Sequence, residues 1–238
     1  MASREWVFAV AFLGSIIPAG AMAQDEGSQE VVVTATRREA DDYAAEMPAV
    51  GLRRKADFAV VAVTVSGDSR DKAQRESEIY DMIRAAIAAA PRSGVQLAYG
   101  ERTLQPLTPQ NYRELSLSND SRPDSQRTSF LVKVPLAGSM DAQGAQAAIT
   151  GYVKSVKPVG RALLTESNDL SLSVVAPDQY RGQIADAIAT DAKAMAARLG
   201  DGYGVEIEGL NRPVEWARSG LSEVLLYMPY KLTVVPKR

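Results

Sequence analysis

Four short strings could carry chemistry. Ser69-Arg70-Asp71-Lys72 sets a lysine three residues after a serine. At a helix start that spacing puts both side chains on one face, where an amine could take the hydroxyl proton. The penicillin-binding type of reaction also needs a Lys-Thr-Gly strand and a Ser-x-Asn element, and neither occurs; Ser118-Asn119-Asp120 has the wrong order. The expectation is an exposed helix cap followed by a solvated lysine. Gly200-Asp201-Gly202-Tyr203-Gly204 has the composition of a phosphate cradle. Cradles precede a helix, because its first N–H groups point at the anion. This one follows a helical pattern, so a turn past a helix end is expected.

Glu206 and Glu208 alternate along a strand-like segment and share one face. They could hold a cation, as could the adjacent pair Asp41-Asp42, but no other ligand type joins either pair. A wet sheet face is the expectation for Glu206 and Glu208. Arg53-Arg54-Lys55, with Arg37-Arg38 nearby, is a basic cluster able to touch anionic lipid or a carboxylate partner. It is expected to flank a solvated loop, because the chain as a whole is not basic.

The chain has 27 basic and 29 acidic side chains, a net charge of -2, which gives no general attraction to nucleic acid. It has no cysteine and no histidine. That excludes disulfides, thiolate catalysis, imidazole bases, Ser-His-Asp triads and most zinc or haem ligation. No catalytic, cofactor-binding or metal-binding residue is assigned. The remaining enzymatic alternative is an exported hydrolase using carboxylate or Ser-Lys chemistry. Tyr180, Tyr203, Tyr227 and Tyr230 gather towards the C-terminus, and tyrosine suits interfaces because a large ring carries a polar tip; a tyrosine at a core margin is the equal alternative. Tyr227, Tyr230 and Lys231 are the candidate interface residues. Pro229 and Lys231 are of the kind that protect a sheet edge.

Met1–Ala23 has the pattern of an export signal, with Arg4, an uncharged run Trp6–Ile17, and Ala21-Met22-Ala23 ahead of a cut before Gln24. Expected location is therefore periplasmic or secreted, with no transmembrane segment after cleavage. Residues 24–49 form an N-terminal strand and linker, the strand being Glu30–Thr36. Residues 50–238 form one domain. Phe58–Val65 reads as a central strand covered on both faces. Asp68 or Ser69 caps a helix near 70–90 with the stripe Ile79, Met82, Ile83, Ala86, Ile87 and Ala90. Val95–Leu104 reads as extended, Pro106–Asp124 as a long loop, and Thr128–Leu136 as a strand. A second helix, 141–156, is capped by Asp141 and presents Ala145, Ile149, Tyr152, Val153 and Val156. Leu170, Leu172 and Val174 alternate with Ser171 and Ser173, a strand with one dry face and one polar face. A third helix, 178–199, presents Ile184, Ala187, Ile188, Ala192, Met195 and Leu199. Val205–Glu208 and a terminal segment, Ser222–Val235, complete the order β-β-α-β-β-α-β-α-β-β. The fold class is α+β, with three helices packed on an antiparallel or mixed sheet.

Several strings, in this order, resemble the SIMPL domain (DUF541) family of exported bacterial proteins. They are Arg54–Val63 with its Lys55-x-Asp57 entry to an apolar strand, Asp71-Lys72-Ala73-Gln74, Leu170-Ser171-Leu172-Ser173 followed by Pro177, and the alanine-rich Asp191–Gly200. The resemblance covers about residues 50–236. It implies a non-catalytic binding or assembly module of the cell envelope, with a homo-oligomer or another envelope protein as partner. In the family a glycine-containing first strand lies close to the Lys-x-Asp motif, whereas here Val31–Thr36 lacks glycine and lies some way upstream. Glu30-Val31-Val32-Val33-Thr34-Ala35-Thr36-Arg37-Arg38 separately resembles the start of TonB-dependent receptor plugs, implying a receptor-derived segment as a second alternative. The chain is too short to hold both a plug and a barrel of about 22 strands.

Overall fold

The computed structural model describes residues 30–33, 48–100 and 103–237. The expected export signal, Asp41-Asp42, Arg37-Arg38 and the end of the first strand, Thr34–Thr36, lie outside the described residues. The chain is α+β. Among the described residues there are three α-helices, and every strand pair is antiparallel.

The largest sheet is built around β3 (Phe58–Gly67). Its β-branched run suits a strand with neighbours on both sides. β7 (Gln126–Pro135) pairs along one edge, from Phe58↔Pro135 to Gly67↔Gln126. β8 (Leu163–Val175) pairs along the other, and β1 (Glu30–Val33) adds outside β8. Beyond β7 come β4 (Gln96–Tyr99) and β5 (Gln105–Pro106), and β6 (Ser118–Asn119) joins the start of β7. The β3–β8 register advances by two residues on β3, Val61 to Val63, and by four on β8, Leu170 to Glu166. This bulge bends β8, which runs well beyond the alternating segment legible in the sequence.

Helix α1 (Lys72–Ala89) lies on this sheet through Ile79, Met82, Ile83 and Ala86, all buried. Its cap is Asp71, whose side chain accepts from Gln74 N–H at 2.7 Å, not Asp68 or Ser69. Helix α2 (Ala142–Ser155) lies beside it through Ala145, Ile149 and Tyr152, capped as expected by Asp141. Helix α3 (Arg181–Leu199) differs from expectation: its nearest strand neighbour is β9 (Tyr203–Glu208), not the large sheet. Its buried stripe is also shorter than the sequence pattern. Ile184, Ile188 and Ala192 are buried, while Ala187, Met195 and Leu199 are exposed.

Other expectations need correction. The basic cluster is a strand, β2 (Leu52–Lys55), paired with β11 (Glu223–Tyr227), which pairs in turn with β10 (Glu215–Arg218). The terminal apolar segment is two strands in two sheets. Pro229 falls in the break, and β12 (Lys231–Pro236) pairs with β9 alone. The long loop 106–124 is held down by buried Leu107, Tyr112 and Leu115.

One carboxylate fastens these layers. Asp57 accepts two bonds from the Arg54 guanidinium, at 2.7 and 3.3 Å, and one from Val175 N–H at 2.8 Å. Its own N–H donates to Ser173 O and its carbonyl accepts from Leu136 N–H. It thereby joins the starts of β3 and α2's lead-in to the end of β8. The next residue, Ala176, has φ 44°, a left-handed conformation that costs a residue with a Cβ on the order of 1 kcal/mol. Arg54 stacks on the Tyr180 ring at 4.5 Å, so the turn into α3 is clamped from both sides.

Asp57→Ala should lower unfolding free energy by about 2 kcal/mol, from the loss of charge-assisted bonds at a strained turn. Ile149→Asp should cost about 4 kcal/mol or more, because an unpaired charge enters the core. Urea unfolding measures both, and a change within about 0.5 kcal/mol for Asp57→Ala would remove it from this role.

Candidate functional site

The end of the chain forms a two-stranded ribbon, β9 against β12, in register from Tyr203↔Pro236 to Glu208↔Lys231. Among the described residues no third strand joins it, so each strand has one open edge. Directly opposed residues share a face. One face therefore carries Tyr203, Val205, Ile207, Leu232, Val234 and Pro236. The other carries Glu206, Glu208, Lys231 and Thr233, all exposed, as expected for a wet face.

The apolar face is incompletely covered. Val205, Ile207, Leu232 and Val234 are half-buried, and Tyr203 is 43% exposed. Beside them, Met195 and Leu199 at the end of α3 are 41% and 56% exposed. These two are one helical turn apart on the same side, and Gly200, at φ 101°, turns the chain directly into β9. The glycine-rich string is thus a helix terminus and turn, as its position after a helix predicts.

The expected interface residues do not stay together. Tyr230 and Lys231 line an open cleft of about 530 Å³ with Pro48, Glu208, Arg212 and Pro229. Tyr227 lies inside, 4% exposed, and belongs to the packing of β11. Gly209 permits the cleft: its φ is 97°, and a Cβ would sit 2.6 Å from Pro229 O. Burial, and then the Asp191 carboxylate, raise the Tyr230 phenol above its ordinary value. Lys231 faces Glu208 across the ribbon, and Arg212 lies 3.5 Å from Glu215, which leaves the rim of mixed sign.

Of the basic cluster, Arg54 pairs with Asp57, Lys55 donates to Gly138 O at 3.0 Å, and Arg53 is exposed. Two of its three cations are therefore fold contacts. Ser69, 3% exposed, donates to Glu78 at 2.6 Å, while Lys72 pairs with Glu76 at 3.8 Å with its side chain largely in solvent. Glu78 also accepts from Gln74 Nε2 and from Arg161 N–H. It presses on Gly160, at φ 57°, where a Cβ would lie 2.3 Å from the Glu78 carboxyl carbon. Arg161 holds Asp68 by two bonds, at 2.6 and 3.0 Å. This network ties the start of α1 to the turn before β8.

A different polar group was not anticipated. Lys133 on β7, its side chain 6% exposed, pairs with Glu30 of β1, and Ser173 of β8, fully buried, donates to the other Glu30 oxygen at 2.5 Å. Lys133 Nζ sits 4.1 Å from the centre of the Phe58 ring. A lysine within the apolar strand Thr128–Leu136, and a serine at every second place around Leu172, were the available signals; nothing local linked them to Glu30. Among the described residues no cluster of acidic side chains suits a metal ion, and no helix is long and apolar enough to cross a membrane.

Glu78 supports a pH prediction. Hydrogen bonds from Ser69, then Arg161 N–H, then Gln74 hold its carboxyl below the ordinary value of 4.5. A folded-state value below the unfolded one means stability that is present above the unfolded value and lost as pH falls through the folded one. Glu78→Gln should lower stability at neutral pH and lose less on going to about pH 3 than the parent does. Asp68, held low chiefly by its hydrogen bond to Arg161, titrates in the same direction, so the acid slope shrinks without vanishing. An unchanged slope in urea unfolding would contradict the assignment.

No known family model, curated protein or solved structure matches this chain.

Proposed function

We propose that this chain is an exported envelope protein that acts by association, not catalysis, and that its partner is a second copy bound at the β9 edge of the terminal ribbon. The observation that carries the reading is a two-stranded ribbon with open edges beside exposed Met195, Leu199 and Tyr203. Isolated two-stranded ribbons are marginal in water, and a further strand supplies both hydrogen bonds and cover for the apolar face. β12 is the poorer edge, since Lys231 and Pro236 bracket it. β9 carries no proline and adjoins the uncovered end of α3.

A two-fold axis makes the same edge serve both copies. In an antiparallel β9–β9 pairing centred on Val205, Glu206 meets Gly204 of the other copy, which avoids facing like charges. Met195 and Leu199 of both copies then approach across the joint. The resemblance to SIMPL domain proteins, and the export signal at Met1–Ala23, agree with an assembly module outside the cytoplasm.

Two measurements test this. Sedimentation at high micromolar concentration should give a dimer or larger species, and Leu199→Asp with Tyr203→Asp should return it to monomer with an unchanged circular-dichroism spectrum. Exposed positions of this kind change stability by about 0.5 kcal/mol at most. A monomeric parent, or a folded double variant that keeps its assembly state, would overturn the reading. Intact mass of the exported protein should begin at Gln24, and a periplasmic form retaining Trp6 would refute the export assignment.

A further inference from the structure

Among the described residues the edge strand β1 makes four register pairs with β8, Glu30↔Val175 to Val33↔Leu172, and the Glu30 side chain adds a polar contact to the sheet. Glu30 meets Lys133 and Ser173 on the sheet face away from α1 and α2, where Val60, Ala98 and Leu104 are also buried. Leu104 N–H closes the arrangement by donating to Glu30 O at 3.1 Å. The receiving half belongs to the body of the fold. Lys133 faces Val60 of β3, and Ser173 faces Phe58. A lysine this enclosed requires a carboxylate, since an unpaired charge out of water is costly.

We propose that the outer edge of β8, with Lys133 and Ser173 beside it, is a strand-acceptor site selective for an extended segment bearing a carboxylate, and that Glu30–Val33 of a second copy takes it in exchange with the chain's own. A copy offers the same carboxylate at the same place in an extended segment. The roughly 18 residues between Val33 and Leu52 can span up to about 60 Å when extended, enough to reach a neighbour. Exchange of an identical element makes no new contact and so costs little. This site is separate from the β9 edge.

The test uses the full-length chain and a fluorescent peptide corresponding to residues 28–36. The Glu30→Ala chain should bind the peptide at least about 10-fold more tightly than the parent, whose site is occupied. A peptide with Gln in place of the Glu30 residue should bind the Glu30→Ala chain about 30-fold more weakly or worse, since one partner of a buried charge pair is lost. In a Glu30→Ala chain also carrying Lys133→Met, the two peptides should bind alike. Equal affinity for both peptides with Lys133 present, or no binding by a Glu30→Ala chain with a folded spectrum, would overturn the proposal. If Glu30→Ala does not fold, donor- and acceptor-labelled chains carrying Leu199→Asp and Tyr203→Asp, which cannot pair at the β9 edge, are mixed instead. Energy transfer that grows with time in this background and is lost when Lys133→Met is added supports exchange; its absence in this background, or its persistence with Lys133→Met, refutes it.

Discussion

The Asp57 carboxylate is the constraint on which the arrangement of layers rests. A strand can be placed in a sheet by its backbone ladder alone, but the join between two sheets needs side chains or loops. Here β2 ends at Lys55 and β3 begins at Phe58, so only two residues turn the chain from the small sheet to the large one. Asp57 stands in that turn and binds forward, to Val175 at the far end of β8, and backward, to Arg54 of β2. Fixing Val175 sets where β8 ends, and Ala176 then takes its left-handed turn into the segment leading to α3. The position of α3 determines which apolar residues of the ribbon are covered. Lys55-x-Asp57 therefore reads physically as a corner clamp: the lysine reaches Gly138 O before α2, and the aspartate holds β8.

The two faces of the large sheet follow different rules. The helix face is dry, with Val61, Val63, Phe130, Val132 and Leu172 meeting the stripes of α1 and α2. The opposite face contains Lys133, Ser173 and Glu30, each satisfied by the others. Buried polar groups of this kind add less stability than apolar packing of equal volume, but they restrict what can fit. Arg218 performs a related task at the β8 bulge. Burial lowers its pKa, and it donates to Leu170 O, Gly220 O and Leu221 O, linking β10 to the large sheet.

Periodicity made the three helices legible, because Ile79, Met82, Ile83 and Ala86, then Ala145, Ile149 and Tyr152, then Ile184, Ile188 and Ala192 recur at helical spacing and are buried; the central strand was legible as the apolar run Phe58–Val65. The apolar stripe read in the sequence runs past the buried part of α3. A stripe in sequence shows which side is apolar, not whether anything covers it, and Met195 and Leu199 continue the stripe into solvent. β2 was missed because Arg53, Arg54 and Lys55 look like a solvated flank, and only the partner strand β11 makes them a strand. Splitting of the terminal segment at Pro229 depends on two sheets far apart in sequence. Tyr230 and Lys231 were placed at a surface cleft, whereas Tyr227, three residues earlier, turned inward with β11. The Glu30–Lys133–Ser173 contact joins residues more than a hundred positions apart, beyond the reach of any local pattern.

The central claim is that the open edge of the terminal ribbon is where copies of the chain meet. Amide hydrogen exchange, followed by mass spectrometry at low and high protein concentration, addresses it directly. The account predicts that Tyr203–Glu208 gains protection as concentration rises, while Phe58–Gly67 in the centre of the large sheet exchanges at one slow rate throughout. Exchange in Tyr203–Glu208 that is independent of concentration would contradict it.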